Sequence, residues 1–532
     1  MFKKGFLISL LCCSFQGFSQ ADPSTYANTI LADDLKKHLT YIASDELQGR
    51  DTGSEGQKKA ATYISDHFFQ LGLEPIVPTP SGGKSYFQTF NLYKKGWKEV
   101  YVKIGDKKKI FFQDFYPNGI VSIPEEKSMP VVFAGYGIET GGYNDYKDLD
   151  VKDKAVIFFE GEPKDKSGAF RITKANEKSA WYDNTGLQKK INIARDKGAK
   201  FFFMISDADA EMFKTRVAER RAVLSRFNRL AFTTTLERES ANASFVVSNE
   251  MAAEMLGVKV KKLGKFLSKM KKKGVSTASK IQESSISVKS ERGDEIVETK
   301  NILGFLEGTD KKDEVVVITA HYDHVGVDNK GEIYNGADDD GSGTCAVMEI
   351  AEAFAQAKKE GNGPRRSILF MTVTGEEKGL LGSQYYTDMN PIIPLSKTVC
   401  DLNIDMIGRI DKEHKGNDKY TYLIGSDKLS SELHQISEDV NKKYINYSLD
   451  YTYNDANDPN RFYYRSDHYN FAKNKIPVIF YFTGVHEDYH RPGDDVEKIM
   501  FPKYQQIARL VFYTAWELSN RNERIKVDSN KQ

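Results

Sequence analysis

The sequence predicts an α/β protein: a doubly wound, mostly parallel sheet flanked by helices, with a second, mixed α/β unit inserted into it. Three observations carry that expectation. From Asn301 onward, short apolar runs alternate with helical periodicity, the pattern of strand–helix–strand units in a parallel sheet. Residues 115–285 break this rhythm with short strands and few helices. The chain has 532 residues, and one hydrophobic core seldom grows past about 250–300.

The elements follow in order. Lys3 and Lys4 precede a short apolar run ending near Phe15, with small residues Gly17 and Ser19 behind it. Residues 1–19 therefore read as a secretory signal cleaved near Ser19, which predicts a secreted or periplasmic protein. No other segment is apolar enough to cross a bilayer, so no integral membrane segment is expected after signal removal. Residues 24–114 open the main domain. Ile30, Leu31, Leu35, Leu39 and Ile42, then Ala60, Ala61, Ile64 and Phe68, recur at helical spacing. The loop 49–56 separates these helices, and residues 98–113 alternate like a strand edge or hairpin. In the insert, residues 130–135, 154–160, 200–205 and 245–248 read as strands, and 187–197, 210–230 and 249–256 as helices. Lys259, Lys261, Lys262, Lys265, Lys269 and Lys271 to Lys273 read as a solvated helix face. The main domain resumes over 286–525. Residues 315–319, 367–373, 398–404 and 477–482 are strands, and 346–357, 429–444 and 503–519 are helices.

Composition removes several functional classes. Lys+Arg is 76 and Asp+Glu 75, a net charge of +1, without the basic excess of a nucleic-acid binder. Four Cys and no CxxC pair exclude a disulfide scaffold and a zinc ribbon. Beyond the signal only Cys345 and Cys400 remain.

In open α/β sheets, ligands bind beyond the carboxyl ends of the strands. The run 315–320 is followed by His321-Tyr322-Asp323-His324. The run 368–375 is followed by Glu376-Glu377, and 400–404 by Asp405. The run 478–482 leads to a loop holding His486 and His490. Gly336-Ala337-Asp338-Asp339-Asp340 precedes a helix, where an acidic cluster could also serve as a cap. Carboxylates converging on one sheet edge repel unless cations neutralise them, and carboxylates with imidazoles suit zinc. His486-Glu487-Asp488-Tyr489-His490 spells the HExxH zinc motif. That motif needs a helix, whereas Pro492 directly downstream opposes one.

At these residues the sequence resembles the co-catalytic di-zinc aminopeptidase family, which includes bacterial leucyl aminopeptidases and glutamate carboxypeptidase-like metallopeptidases. The resembling segments are AHYDH (320–324), NGADDDGSG (335–343), TGEEKGLLGS (374–383), NIDMIG (403–408), RSDHYNF (465–471) and HEDYHRPGDD (486–495), with residues 42–56 and 300–309 as further signatures. The resemblance implies a zinc exopeptidase fold with two Zn2+ per chain and a peptide substrate. It implies His321 and Asp405 on one zinc, Glu377 and His490 on the other, and Asp339 bridging them, with a cis peptide bond to Asp340. Glu376 would be the general base, Asp323 would orient His321, and Tyr463 would steady the oxyanion. Aminopeptidase activity is the expectation. Carboxypeptidase or dipeptidase activity, or a single-zinc glutaminyl cyclase-like acyltransferase, are the alternatives. Residues 133–138, 146–154 and 194–200 resemble a protease-associated domain, which would form a lid or substrate-selecting wall; a purely structural insert is the alternative.

Overall fold

The computed structural model describes residues 21–165, 167–173, 179–225, 229–233, 239–273 and 284–530; the expected signal segment lies outside them. The chain forms two compact units, Met1–Asn91 with Val297–Gln532, and Leu92–Ile296.

The sheet of the first unit uses β1 (Ser284–Leu306, whose residues from 297 belong here), β2 (Lys311–His321), β3 (Arg366–Val373), β4 (Thr398–Ile404), β5 (Tyr420–Ile424), β6 (Ser448–Asp450) and β7 (Val478–Phe482). Their spatial order is β6-β5-β7-β4-β2-β3-β1. The inner pairs β3/β2, β2/β4 and β4/β7 are parallel, while β1/β3 and β5/β7 are antiparallel. The sheet is therefore parallel at its centre and mixed towards its edges. From Val315 onward both faces of β2 are buried, which explains its apolar run. Val316, Ile318 and Ala320 enter one core, and Val315 and Val317 the other. Each of these valine and isoleucine side chains contributes about 1.5–3 kcal/mol on burial.

The first core is covered by α1 (Ala32–Ile42), α2 (Glu55–Gln70), α3 (Gly343–Lys359), α4 (Ser431–Tyr444) and α5 (Phe501–Asn520). Helix α1 buries Leu35, Leu39 and Ile42 at helical spacing. Helix α2 starts at Ser54, whose hydroxyl accepts the Gln57 amide at 3.2 Å, an N-cap. The opposite core gathers Tyr386, Phe471, Phe480 and Phe482, with the short helix His468–Ala472 over it. Strand β5 was not expected. All of its residues are buried, so it lacks the alternation by which an isolated strand is recognised.

In the second unit, Ala155–Phe159, Phe201–Ile205 and Ala243–Val247 form a parallel core. Ile123–Phe133 extends it on one side and Phe115–Pro117 on the other. The unit spans 92–296, wider than the expected 115–285. The strands Phe87–Ile104 and Ser284–Leu306 run through both boundaries, so no turn or composition break marks either point. Lys259, Lys261, Lys262, Lys265 and Lys269 are exposed while Leu263 and Met270 are buried, a solvated face on the helix Val260–Lys273. Cys345 and Cys400 are buried free thiols. Among the described residues no helix is long and apolar enough to cross a membrane.

Candidate metal centre and active site

Because β2, β3, β4 and β7 run parallel in register, their carboxyl ends share one edge, and the residues after them meet there. His321 ends β2. Glu376 and Glu377 follow β3, Asp405 follows β4, and the loop after β7 reaches His490.

His321 Nε2 lies 3.3 Å from Asp339 Oδ1, 3.7 Å from Asp405 Oδ2 and 4.0 Å from Glu376 Oε2. On the other side of Asp339, its Oδ2 is 3.1 Å from His490 Nε2, which is also 3.1 Å from Glu377 Oε2. His321, Asp339 and Asp405 form one group able to hold a cation, and His324, Asp339 and Glu377 a second. Asp339 belongs to both. Zinc bonded tetrahedrally at about 2.0–2.2 Å would set neighbouring ligand atoms roughly 3.3–3.6 Å apart, and the distances here bracket that range. Asp339 Oδ2, Glu377 Oε1 and both ring nitrogens of His324 are buried and make no hydrogen bond. Orphaned donor atoms of this kind, in a set of carboxylates and imidazoles, fit zinc.

The aspartate triplet divides into one ligand candidate and two braces. Asp338 Oδ1 accepts the Gly408 amide at 2.6 Å. Asp340 Oδ2 accepts the His321 amide at 3.1 Å, and its Oδ1 accepts those of Gly343 and Met406 at 2.8 and 3.2 Å. Asp340 thus ties the ends of β2 and β4 to the start of α3, and the Asp339–Asp340 peptide bond is cis. Gly336 permits the approach. Its φ is +58°, and a Cβ there would sit 2.3 Å from the Asp339 carbonyl oxygen and 2.5 Å from the His324 ring. Ser466 Oγ donates to Asp405 Oδ2 at 2.7 Å, holding that carboxylate from behind.

Charge is unevenly settled. Burial lowers the proton affinity of His490, but Asp339 and Glu377 outweigh it and bring the ring to about 10. Burial and Asp339 would raise Glu377, but His324 and His490 hold it at about 2. Glu376 goes the other way. Burial pushes its carboxyl well up, and Glu377, Asp467 and Asp405 add repulsion that His321 only partly offsets. A carboxyl kept basic beside a ligand cluster is suited to proton transfer.

The pocket beside this cluster is lined by His321, Asp339, Glu376 and Asp405 and walled by Met406, Phe462, Phe480, Phe482, Val485, Tyr489 and Arg465. Tyr463, expected here, is not in that lining: its buried ring packs against Tyr464, His468 and Tyr469. Tyr489 takes the position facing the cluster, stacked on His490 at 3.9 Å, with its hydroxyl accepting from Arg465 at 3.3 Å. Adjacent aromatic residues could not be ranked by motif spacing alone. Asp323 also differs from expectation. His321 Nδ1 is 3.0 Å from the Asp323 backbone oxygen and 3.9 Å from its carboxylate. The carbonyl orients the imidazole, while the carboxylate accepts from Thr52 and from the Glu376 amide. His486 lies in irregular chain and residues 487–490 form turns, not a helix. His486 points at Asp338, 3.4 Å away, so HExxH here supplies one candidate ligand, His490, not two. Sequence reasoning left His324 without a role, although it stands in the same strand-end segment as His321.

Residues 301–515 match the model of peptidase family M28. The chain is 27% identical to aminopeptidase YwaD of Bacillus subtilis over 43% of this chain and 46% of that one. It is 23% identical to a glutamate carboxypeptidase 2 homolog of Caenorhabditis elegans over 74% of this chain and 53% of that one. It thus spans about half the length of these curated relatives. Among solved structures, an aminopeptidase from Aneurinibacillus sp. strain AM-1 aligns over 96% of this chain and 100% of its own, at 16% identity and a TM-score of 0.46.

Proposed function

We propose, from the premise that residues 301–515 are a peptidase family M28 domain, that the chain is a zinc-dependent exopeptidase, and more finely an aminopeptidase with two zinc ions. The observation that carries this is the pair of ligand groups sharing Asp339, with Glu376 on their pocket side. His321 and Asp405 would hold one ion, Glu377 and His490 the other, with Asp339 common to both. When bound, zinc supplies Lewis-acid polarisation of a carbonyl and acidification of water.

The chain's own residues do the rest. Glu376, held basic by burial, takes a proton at its carboxylate and returns it to the leaving amine, a contribution of about 10²–10⁴-fold. Its amide donates to Asp323 Oδ1 at 3.2 Å, which limits where the carboxylate can swing. The Tyr489 hydroxyl donates to the developing oxyanion. Phe462, Phe480 and Phe482 wall the pocket and exclude water from it. Secretion belongs to the same reading and rests on the charged and apolar start of the chain. A protease-associated-like role for residues 92–296 rests on the resembling segments and on the small parallel sheet there.

Arg465 favours a second reading. It is the cation in the pocket lining and could receive a terminal carboxylate, as a carboxypeptidase requires. One experiment separates the two. Purified protein is assayed on free-N-terminus, blocked-N-terminus and dipeptide substrates, with and without chelator. The aminopeptidase reading expects turnover only with a free amino terminus, abolished by chelator, and a kcat loss of about 10²–10⁴ in Glu376→Gln. Turnover of blocked peptides from the carboxyl end would replace it with the second reading. Undiminished activity in Glu376→Gln would remove the mechanism.

A further inference from the structure

We infer that His324 is an additional ligand of the metal position built by Glu377 and His490. The two positions then become unequal: His324, Glu377, His490 and Asp339 at one, and His321, Asp405 and Asp339 at the other. This rests on the metal-centre reading above.

His324 is fully buried, and its placement is over-determined. Its amide donates to the Arg50 carbonyl at 3.2 Å, and its ring lies against the backbone of Gly336, where no Cβ would fit. From there Nδ1 is 2.9 Å from Glu377 Oε1 and 3.7 Å from Asp339 Oδ2. His490 approaches the same two carboxylates from another side, with the ring centroids 5.8 Å apart at 67°. Glu377 presents one oxygen to each imidazole, Oε1 to His324 and Oε2 to His490. His324, Asp339 and Glu377 form a group able to hold a cation, and His490 meets the same two carboxylates at 3.1 Å, separations close to the edges of a zinc tetrahedron.

A bystander histidine explains this less well. A buried imidazole normally spends its ring nitrogens in hydrogen bonds. Neither nitrogen of His324 makes one, even with a carboxylate oxygen at 2.9 Å. Nδ1 is near Glu377 without being aligned to it, as expected of an atom directed at a point between the carboxylates.

The inequality has a functional meaning. Sites that only hold zinc are closed by four protein ligands, whereas working sites keep a position open. With His324 counted, the Glu377 side is closed. The His321–Asp405 side has three protein ligands and faces Glu376 and the pocket. The open position thus lies where the proposed base stands.

The test measures zinc binding to the full-length apoprotein by calorimetry, together with X-ray absorption of the zinc-loaded wild type. The expected wild-type result is two binding events and an absorption spectrum fitting three imidazoles for every two zinc ions. His324→Gln should weaken one binding event by more than ~100-fold, beyond the loss seen when a group behind a ligand is removed. It should leave the melting temperature of the apoprotein unchanged or raised. Two imidazoles per two zincs, or unchanged affinity with a lowered apoprotein melting temperature, would reduce His324 to packing and overturn the inference while leaving the metal centre intact. Wild-type protein that takes up no zinc would overturn the metal-centre reading itself. The absorption measurement decides the matter even if the variant fails to fold.

Discussion

Replacing Arg50 with methionine should unfasten the site from behind. Its guanidinium is fully buried and, among the described residues, pairs with no carboxylate directly. It donates instead to the carbonyls of Tyr322 at 2.9 Å, Ile42 at 2.6 Å, Asn335 at 2.6 Å and Gly336 at 2.9 Å. Tyr322 sits between His321 and Asp323, and Gly336 lies three residues before Asp339, so one side chain clasps both segments that carry candidate ligands to the end of α1. Four charge-assisted bonds at ~1.5–3 kcal/mol each are opposed by the several kcal/mol that burying a cation costs. The net loss on truncation is therefore about 3–5 kcal/mol, because carbonyls left buried without this donor cost about 1–3 kcal/mol each and the relieved burial of the cation offsets part of that. In a unit of this size that is a fall of roughly 4–7 °C in apoprotein melting temperature. Zinc affinity should fall a further ~10–100-fold, as when a group supporting a ligand is lost. Arg50→Lys should rescue little, because a compact ammonium cannot span carbonyls arranged for a planar fork. Scanning calorimetry of the apoprotein and zinc titration check both numbers. An Arg50→Met protein with wild-type melting and wild-type zinc affinity would refute the reasoning.

Two further predictions follow. Tyr489→Phe should lower kcat by about 10²–10³-fold with little change in KM, the cost of losing one donor to the oxyanion, whereas Tyr463→Phe should leave kcat near wild type; the opposite ranking in steady-state kinetics would return the role to Tyr463. Acid should weaken the fold through His67, which burial and the nearby His38 push down to about 4. The unfolded chain titrates near 6.5 and so binds more protons than the folded one between pH 6.5 and 4. Stability is then full above about 6.5 and falls as the pH drops through that window, by at most about 3 kcal/mol from this group. His67→Gln should flatten that part of the stability-against-pH curve, and an unchanged slope in urea unfolding would count against it.

What was legible in the sequence, and what was not, divides along the line between local and non-local information. His321, Glu376, Glu377 and Asp405 were readable because each follows directly on an apolar run, and a parallel strand that ends in a charged residue announces which edge that residue joins. The helices α1 and α2 were readable because 3.6-residue spacing is a local property. The domain boundaries at 92 and 296 were not, because both fall inside strands that continue without change of pattern. Nor was the role of Arg50: its partners are carbonyls, which every residue carries, and those of Tyr322, Asn335 and Gly336 lie more than 270 residues away.

The loop after β7 shows why motif and geometry can part. HExxH works as a zinc motif only when a helix puts both imidazoles on one face. Here the residues form turns, and the two rings separate, His486 towards Asp338 and His490 towards Asp339 and Glu377. The letters of the motif are present and its periodicity is not. The imidazole that His486 does not supply is offered instead by His324, from a strand end some 160 residues earlier in the chain. A candidate ligand set assembled in this way depends on where parallel strands stop and on the loops that follow them, and the pairing of β2, β3, β4 and β7 sets the edge where its members meet.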